Sequence, residues 1–238
     1  MKSFVTVTCF LVAVNLLLSP AANAQFQATS ICNTGLTRKS IPPVGCLSST
    51  LVTPVNPLPG GPSVDGNWEL AVPFPSAGYT DPAPNACSLR SLFVPAWVNA
   101  PWYTWYDPAD GLSQWISPLG GGDASAGWYV YRTRFQVPPV RPGHGLYLLQ
   151  IRGQLMSDDN PTSIYLADSK QVPACAELAN LTEAGFGNWT PFEAKLTIAP
   201  DSFASLYVVV YNQFLAAPAH SNPTGLRIEF TSVKLTPF

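Results

Sequence analysis

The chain has 238 residues, a net charge of -2 and only 11% charged residues against 12% aromatic ones, with 25 prolines and 17 glycines. A near-neutral charge with no basic cluster excludes the electrostatic footprint of a nucleic-acid binder, so no nucleic-acid partner is expected. An aromatic-rich, weakly charged chain is also unlike a disordered one, and the proline and glycine content fits strands joined by many rigid turns.

Residues 1–24, MKSFVTVTCFLVAVNLLLSPAANA, carry Lys2, an apolar core from Phe4 to Leu18 and a small-residue exit at Ala22-Asn23-Ala24. That layout predicts a secretory signal cleaved after Ala24. The apolar run is short for a membrane span of about 20 residues and ends in Ser19-Pro20 rather than in basic stop residues. No later segment is long and apolar enough to cross a bilayer. The mature chain is therefore expected to be secreted, without a transmembrane segment, and either released or retained at the cell surface.

Loss of the signal removes Cys9 and leaves Cys32, Cys46, Cys87 and Cys175. An even count in an exported chain predicts disulfides, and the spacings match neither a redox CxxC nor a zinc site. Of three possible connectivities we expect Cys32–Cys46, which closes a short loop, with Cys87–Cys175 joining distant parts of the body. Each bridge contributes about 3 kcal/mol, mainly by restricting the unfolded chain.

Residues 25–62, including SIPPVGCLSSTLVTPVNPLPGGP, are rich in Pro, Ser, Thr and Gly. They offer little apolar surface and lack several N–H donors, so they read as an extended arm. From 63 to 238 a single domain is expected, because apolar and polar residues alternate in one segment after another.

In GWYVYRTRFQVP, Tyr129, Tyr131, Thr133, Phe135 and Val137 share one face, and Trp128, Val130, Arg132, Arg134 and Gln136 the other. In GLYLLQIRGQL, Tyr147, Leu149, Ile151 and Leu155 oppose Leu148, Gln150, Arg152 and Gln154. In GLRIEFTSV, Leu226, Ile228 and Phe230 are expected inward, with Arg227, Glu229 and Thr231 outward.

Further predicted strands are Trp68–Phe74, Leu92–Val98, Thr162–Leu166, Trp189–Ile198 and Ser205–Tyr211. LYVVVYN lacks polar alternation, as a strand covered on both faces would. The best helical stretch, Ala174–Leu181, amounts to one or two turns. The pattern predicts an all-β fold, an antiparallel β-sandwich or jelly roll with a Pro-rich N-terminal extension.

Four features carry candidate chemistry. The segment VPAWVNAPWYTWYDPADGLSQW presents Trp102, Tyr103, Trp105 and Tyr106, flat amphipathic surfaces on which sugar rings can lie, although such aromatics also plug cores and anchor protein interfaces. Arg132, Arg134, Gln150, Arg152 and Gln154 would form one polar stripe if their strands pair, suited to an acidic glycan; the alternative is a solvated face of local ion pairs. In GQLMSDDNPTSIYL, Asp158, Asp159 and Asn160 offer hard oxygen ligands for calcium, without the regular spacing of an EF-hand. The same residues favour a tight turn between the flanking strands, and Asp159 and Asn160 could meet a sugar hydroxyl there.

Catalytic signatures are weak. Adjacent carboxylates do not face each other across the gap a glycosidase needs, and His144 and His220 sit in polar loops without a GxSxG elbow or a metal-spaced partner. Catalysis is not expected. Asn180-Leu-Thr182 and Asn188-Trp-Thr190 match the N-glycosylation pattern.

The order DGNWELAVPFPSA, PAWV, QWISP, GWYVYRTRFQVP, GQLMSDDNPTSIYL, GNWTPFE, SLYVVVYN and NPTGLRIEF resembles the galactose-binding-like β-sandwich modules of bacterial exported and cell-surface proteins, over roughly residues 63–234. The resemblance implies glycan binding or adhesive assembly more than catalysis. The absence of a C-terminal sorting tail implies a released or noncovalently held protein. The expected function is that of a secreted, non-catalytic carbohydrate-binding or adhesive protein of the cell surface or extracellular matrix, with a glycan or polysaccharide as partner. The alternative is a structural subunit that meets copies of itself or other surface proteins through the arm and builds a polymer or coat.

Overall fold

The computed structural model describes residues 26–27, 32–34, 64–74, 84–89, 93–99, 112–120, 124–139, 145–159, 162–170, 175–181, 184–213 and 223–237, without the side chains of 26, 27, 72–74, 88 and 175. Among these residues the strands are β1 (Phe26–Gln27), β2 (Val64–Phe74), β3 (Phe93–Asn99), β4 (Trp115–Ser117), β5 (Gly127–Gln136) and β6 (Tyr147–Asp158). They continue as β7 (Thr162–Asp168), β8 (Cys175–Leu181), β9 (Thr190–Ile198), β10 (Phe203–Asn212) and β11 (Gly225–Pro237).

All pairings are antiparallel, in the order β8-β7-β10-β5-β2-β3-β4-β11-β6-β9, with β1 added to β11. The two ends of this path, β8 and β9, lie against each other. The sheet therefore curls into two halves around a common interior, which is the antiparallel all-β architecture expected from the alternation.

That interior is filled from both halves. Tyr129, Tyr131 and Phe135 of β5, Leu206, Val208 and Val210 of β10, and Ile164 and Leu166 of β7 meet Tyr147, Leu149, Ile151 and Leu155 of β6 and Leu226 and Ile228 of β11. These are the inward positions that the period of two selects in each strand. The intervening positions of β10, Tyr207, Val209 and Tyr211, pack with Trp128, Val130 and Ala86 in a second cluster on the far face. A 3-10 turn at Ala86–Ser88, capped by the Asn85 side chain, covers part of that face. Being covered on both faces is what makes LYVVVYN continuously apolar.

β2 begins with a local irregularity. The Asp65 carboxylate accepts from the N–H groups of Asn67 and Trp68 at 2.7 and 3.0 Å, and the register against β3 shifts between Val64 and Glu69. Trp68 is fully buried, and its ring stacks on Phe230 with centroids 6.5 Å apart.

Several expectations are corrected. Ala174–Leu181 is the best short helical candidate in the sequence, one or two turns, but Cys175–Leu181 is a strand paired with β7. Its Leu178, Ala179 and Leu181 pack against the interior, and a lone helix of this length lies below the nucleation threshold. The strands flanking Asp158 and Asp159 are not neighbours: β6 pairs with β11 and β9, β7 with β10 and β8. The chain crosses between the halves there, where the Ser157 and Thr162 hydroxyls lie 2.7 Å apart.

Parts of the arm belong to the sheet. β1 pairs Phe26 with Leu235 and Gln27 with Lys234 of the chain's own β11, and Cys32–Thr34 is bonded to β11 further along. The signal segment and the rest of the arm lie outside the described residues.

Candidate functional site

The aromatic segment is mounted between two stems. Trp102, Tyr103, Trp105 and Tyr106 lie outside the described residues, within 100–111, but both ends of that stretch are described: Asn99 closes β3, and Leu112 leads into β4. The Asn99 amide donates to Ser117 Oγ and, at 3.1 Å, to the Leu119 carbonyl.

The second stem is held by side chains from two other elements. Asn33 Nδ2 donates to the Leu112 carbonyl at 3.0 Å, and Thr34 Oγ1 donates to the Gln114 carbonyl at 2.6 Å. Ser113 Oγ donates to Glu229 Oε1 at 2.6 Å and accepts from Arg227 Nε at 2.7 Å. Trp115 then packs on Met156 and Trp189.

Arg227 and Glu229 were expected outward, and here the structure differs most. They are 1% and 4% exposed. Alternation turns them away from the interior, but Ser113 and Trp189 lie over that outer face, with the Arg227 guanidinium 5.5 Å from the Trp189 ring. Glu229 Oε2 also accepts from Gln154 Nε2 at 3.0 Å, and the guanidinium lies 4.0 Å from Oε1. Sequence reasoning missed this buried pair because a strand pattern cannot say whether its polar side meets solvent or another segment. The available signal was Arg and Glu two residues apart on one strand face, with no compensating charges beside them.

The proposed stripe of Arg132, Arg134, Gln150, Arg152 and Gln154 is divided, because β5 and β6 do not pair and lie in different halves. Arg132 donates to Glu69 Oε2 through Nε at 2.9 Å and Nη2 at 2.6 Å, and its guanidinium lies 3.6 Å from the Phe93 ring centroid. Arg134 reaches Glu69 Oε1 at 2.8 Å. On the other half, Arg152 and Gln150 donate to Glu193 at 3.0 and 2.8 Å, and Lys195 pairs with it at 3.0 Å. Local ion pairing thus occupies each group of arginines with a carboxylate of its own, and a ligand would have to displace it.

Glu193 shows the electrostatic result. Hydrogen bonds from Lys195, Arg152 and Gln150, in that order of strength, lower its pKa from 4.5 to about 2. A carboxylate with a depressed folded-state pKa contributes stability above its unfolded pKa, and that contribution is lost as pH falls through the folded value. A carbon-detected NMR titration is expected to place the Glu193 midpoint near 2, and Arg152→Ala to move it toward 4.5. A midpoint already at 4.5 in the unsubstituted chain would refute the geometry.

At the crossing between halves, Asp158 is 3% exposed, its carbonyl accepts from Thr224 Oγ1, and the Asp158–Asp159 peptide is cis. The Asp159 N–H donates to the Tyr211 carbonyl at 3.1 Å, and its Oδ2 accepts from the Gln213 N–H at 2.8 Å. Both bonds tie the connection to the end of β10. Asn160 lies outside the described residues, so only two of the three proposed calcium ligands have a described position. Burial, followed by the charges of Tyr129 and Asp158, raises the Tyr131 pKa well above 10, while burial alone pushes Tyr129 to about 12. Among the described residues no group of three or more His, Cys, Asp or Glu side chains is arranged to hold a metal.

Cys32 and Cys87 are both disulfide-bonded. Cys46 and the Cys175 side chain lie outside the described residues, so the pairings Cys32–Cys46 and Cys87–Cys175 stay proposals. His144 and His220 lie outside as well. Asn180 and Asn188 are exposed. No helix among the described residues is long and apolar enough to cross a membrane.

No family model matches the chain, and no curated protein matches it. Among solved structures, TmCBM61 in complex with beta-1,4-galactotriose is similar over 49% of this chain and 66% of its own, at 11% identity and a TM-score of 0.29. A beta-glucuronidase of Faecalibacterium prausnitzii is similar over 77% of this chain and 33% of its own, at 16% identity and a TM-score of 0.37. A carbohydrate binding module from Cellvibrio mixtus lichenase 5A, in complex with cellotriose, is similar over 54% of this chain and 80% of its own, at 14% identity and a TM-score of 0.27. At these scores the likenesses assign the chain neither a family nor an activity.

Proposed function

We propose that the chain is an exported, non-catalytic carbohydrate-binding protein of the cell surface or extracellular matrix, built on a galactose-binding-like β-sandwich, with Trp102, Tyr103, Trp105 and Tyr106 as its stacking surfaces. What supports this reading is the mounting of segment 100–111. Four aromatics and two prolines fall in one connection whose ends are fixed to the body by Asn99, Asn33, Thr34 and Ser113. A recognition loop gains most when a rigid scaffold carries it, because less conformational entropy is lost on binding.

Five of the described carboxylates have structural partners: Asp65 holds the irregular start of β2, Glu69 and Glu193 hold arginines, Glu229 holds Ser113, and Asp168 accepts from the N–H groups of Lys170 and Ala199 at 2.9 and 2.6 Å. The self-assembly alternative gains no observation among the described arm residues, which bond to the chain's own β11.

The test is affinity electrophoresis of the mature chain against a panel of neutral and acidic polysaccharides. Retention by at least one polymer is expected, and Trp102→Ala or Trp105→Ala is expected to weaken it on the order of tenfold or more with unchanged melting. Running the panel with calcium and with chelator tests whether Asp158, Asp159 and Asn160 hold a calcium ion that binding needs. A chain retained by no polymer under either condition would overturn the proposal.

A further inference from the structure

The outer face of β9, β6 and β11 carries more positive charge than its one exposed carboxylate balances. Leu149, Ile151, Ile198, Val233 and Leu235 turn into the interior, so Gln150, Arg152, Lys195 and Lys234 turn outward. Register sets them in rows: Gln150 of β6 lies between Lys195 of β9 and Lys234 of β11, and Arg152 lies between Glu193 and Ser232. With strands about 4.8 Å apart and about 3.4 Å of rise per residue, the two lysines leave the sheet about 10 Å from each other, and Arg152 stands about 7 Å along the middle strand from Gln150.

Arg152 and Lys195 both bond Glu193, at 3.0 Å each, and among the described residues Lys234 has no ion pair. Three cations therefore face one carboxylate, in a chain whose net charge is -2. Further along the same face Arg227 and Glu229 balance each other, so the surplus stays at this end. The depressed pKa of Glu193, held low by Lys195, Arg152 and Gln150, reports the same positive field. Arg152 and Lys195 are exposed and Lys234 is half-buried. Half of the divided stripe thus gains two lysines that only strand pairing joins to it.

We infer that this face is a binding surface for an anionic polysaccharide: Lys195, Lys234 and Arg152 take its carboxylate or sulfate groups, and the Gln150 amide and Ser232 hydroxyl meet the sugar hydroxyls between them. The surface uses no residue of segment 100–111 and goes beyond the reading built on that segment. Charges set apart with amide and hydroxyl groups among them suit a polymer whose anions are themselves spaced by hydroxyls. Double-stranded DNA carries one charge per ~1.7 Å of axis, far denser than three cations across about 10 Å can match. Leu148 is the exposed large apolar side chain of the face, too little apolar surface to enter a bilayer.

The experiment is affinity electrophoresis of the full mature chain at low ionic strength through polygalacturonate, dextran sulfate, neutral dextran and double-stranded DNA. Retention by polygalacturonate or dextran sulfate is expected, and added salt is expected to abolish it. Lys195→Gln and Lys234→Gln are each expected to weaken that retention roughly two- to fivefold, the range one exposed charge pair carries, and to leave migration in dextran unchanged. Glu193→Gln is expected to strengthen it by a similar factor, because Arg152 and Lys195 lose their competing anion. Lys170→Gln is the charge-matched control: Lys170 follows β7 in the other half, beside Asp201 at 3.7 Å.

No retention by either anionic polymer would overturn the inference. Equal weakening by Lys170→Gln would also overturn it, as would Glu193→Gln without a gain, since net charge rather than this face would then govern migration. DNA that holds the chain as tightly as both polysaccharides would reduce the face to unselective polyanion attraction and overturn it too. Trp102→Ala without effect on any polymer would defeat the aromatic reading and leave this one standing.

Discussion

Arg227→Ala is expected to lower the free energy of unfolding by about 3–5 kcal/mol, the range measured when one member of a buried ion pair is removed. The substitution leaves Glu229 buried with Ser113 and Gln154 as hydrogen-bond donors and no cation beside it. It also strips Ser113 of a donor and Trp189 of the guanidinium near its ring. Denaturant unfolding of Arg227→Ala beside the double variant Arg227→Met/Glu229→Leu tests the cause. Removing both charges is expected to recover most of the loss, since the desolvation cost of the carboxylate then disappears with the carboxylate. A single variant within about 0.5 kcal/mol of the unsubstituted chain, the range of ordinary surface changes, would mean that the pair is solvated.

Gly153→Ala is the second large effect. Gly153 lies on β6 opposite Phe230 of β11 and Phe192 of β9. An added Cβ would press on the Glu229 carbonyl oxygen and would lie 2.8 Å from Phe192 Cζ. The ring could rotate away, but the carbonyl belongs to the β11 backbone and can yield only if the two strands part. A cost of about 3 kcal/mol is expected, at the upper end of ordinary overpacking. Gly145→Ala is the control, because an added Cβ there meets nothing within 4 Å. Equal melting of the two variants would contradict the close approach of β6, β9 and β11.

The two effects fall on opposite faces of β6 and β11, Gly153 toward the interior and Arg227 away from it, and the second shows where a strand pattern stops being informative. The period of two placed Tyr129, Tyr131, Phe135, Tyr147, Leu149, Ile151, Leu155, Leu226 and Ile228 inward, and all are buried. It succeeds because hydrophobic burial acts on each residue according to the face its own strand presents. It placed Arg227 and Glu229 outward in the correct direction, but solvent is absent there, since Ser113 and Trp189 come from segments far away in sequence. Ala176, Glu177 and Leu178 favour a helix locally, yet β7 supplies a row of hydrogen-bonding partners that no local signal announces.

The candidate site divides in the same way. The aromatic density of residues 94–115, the arm's composition and the turn chemistry around Asp158 and Asp159 are properties of short stretches, and the sequence alone determined them. Which strands pair decided the rest. β5 and β6 in different halves split the arginine stripe, and β6 and β7 in different halves turned a supposed hairpin into a crossing. The placement of Asn33 and Thr34 beside β11 bonded part of the arm to β11 and to the stem at 112–114. Those outcomes depend on contacts between residues as much as 197 positions apart, such as Phe230 with Asn33, and free energy that arises only when distant segments meet leaves no periodic mark in either segment.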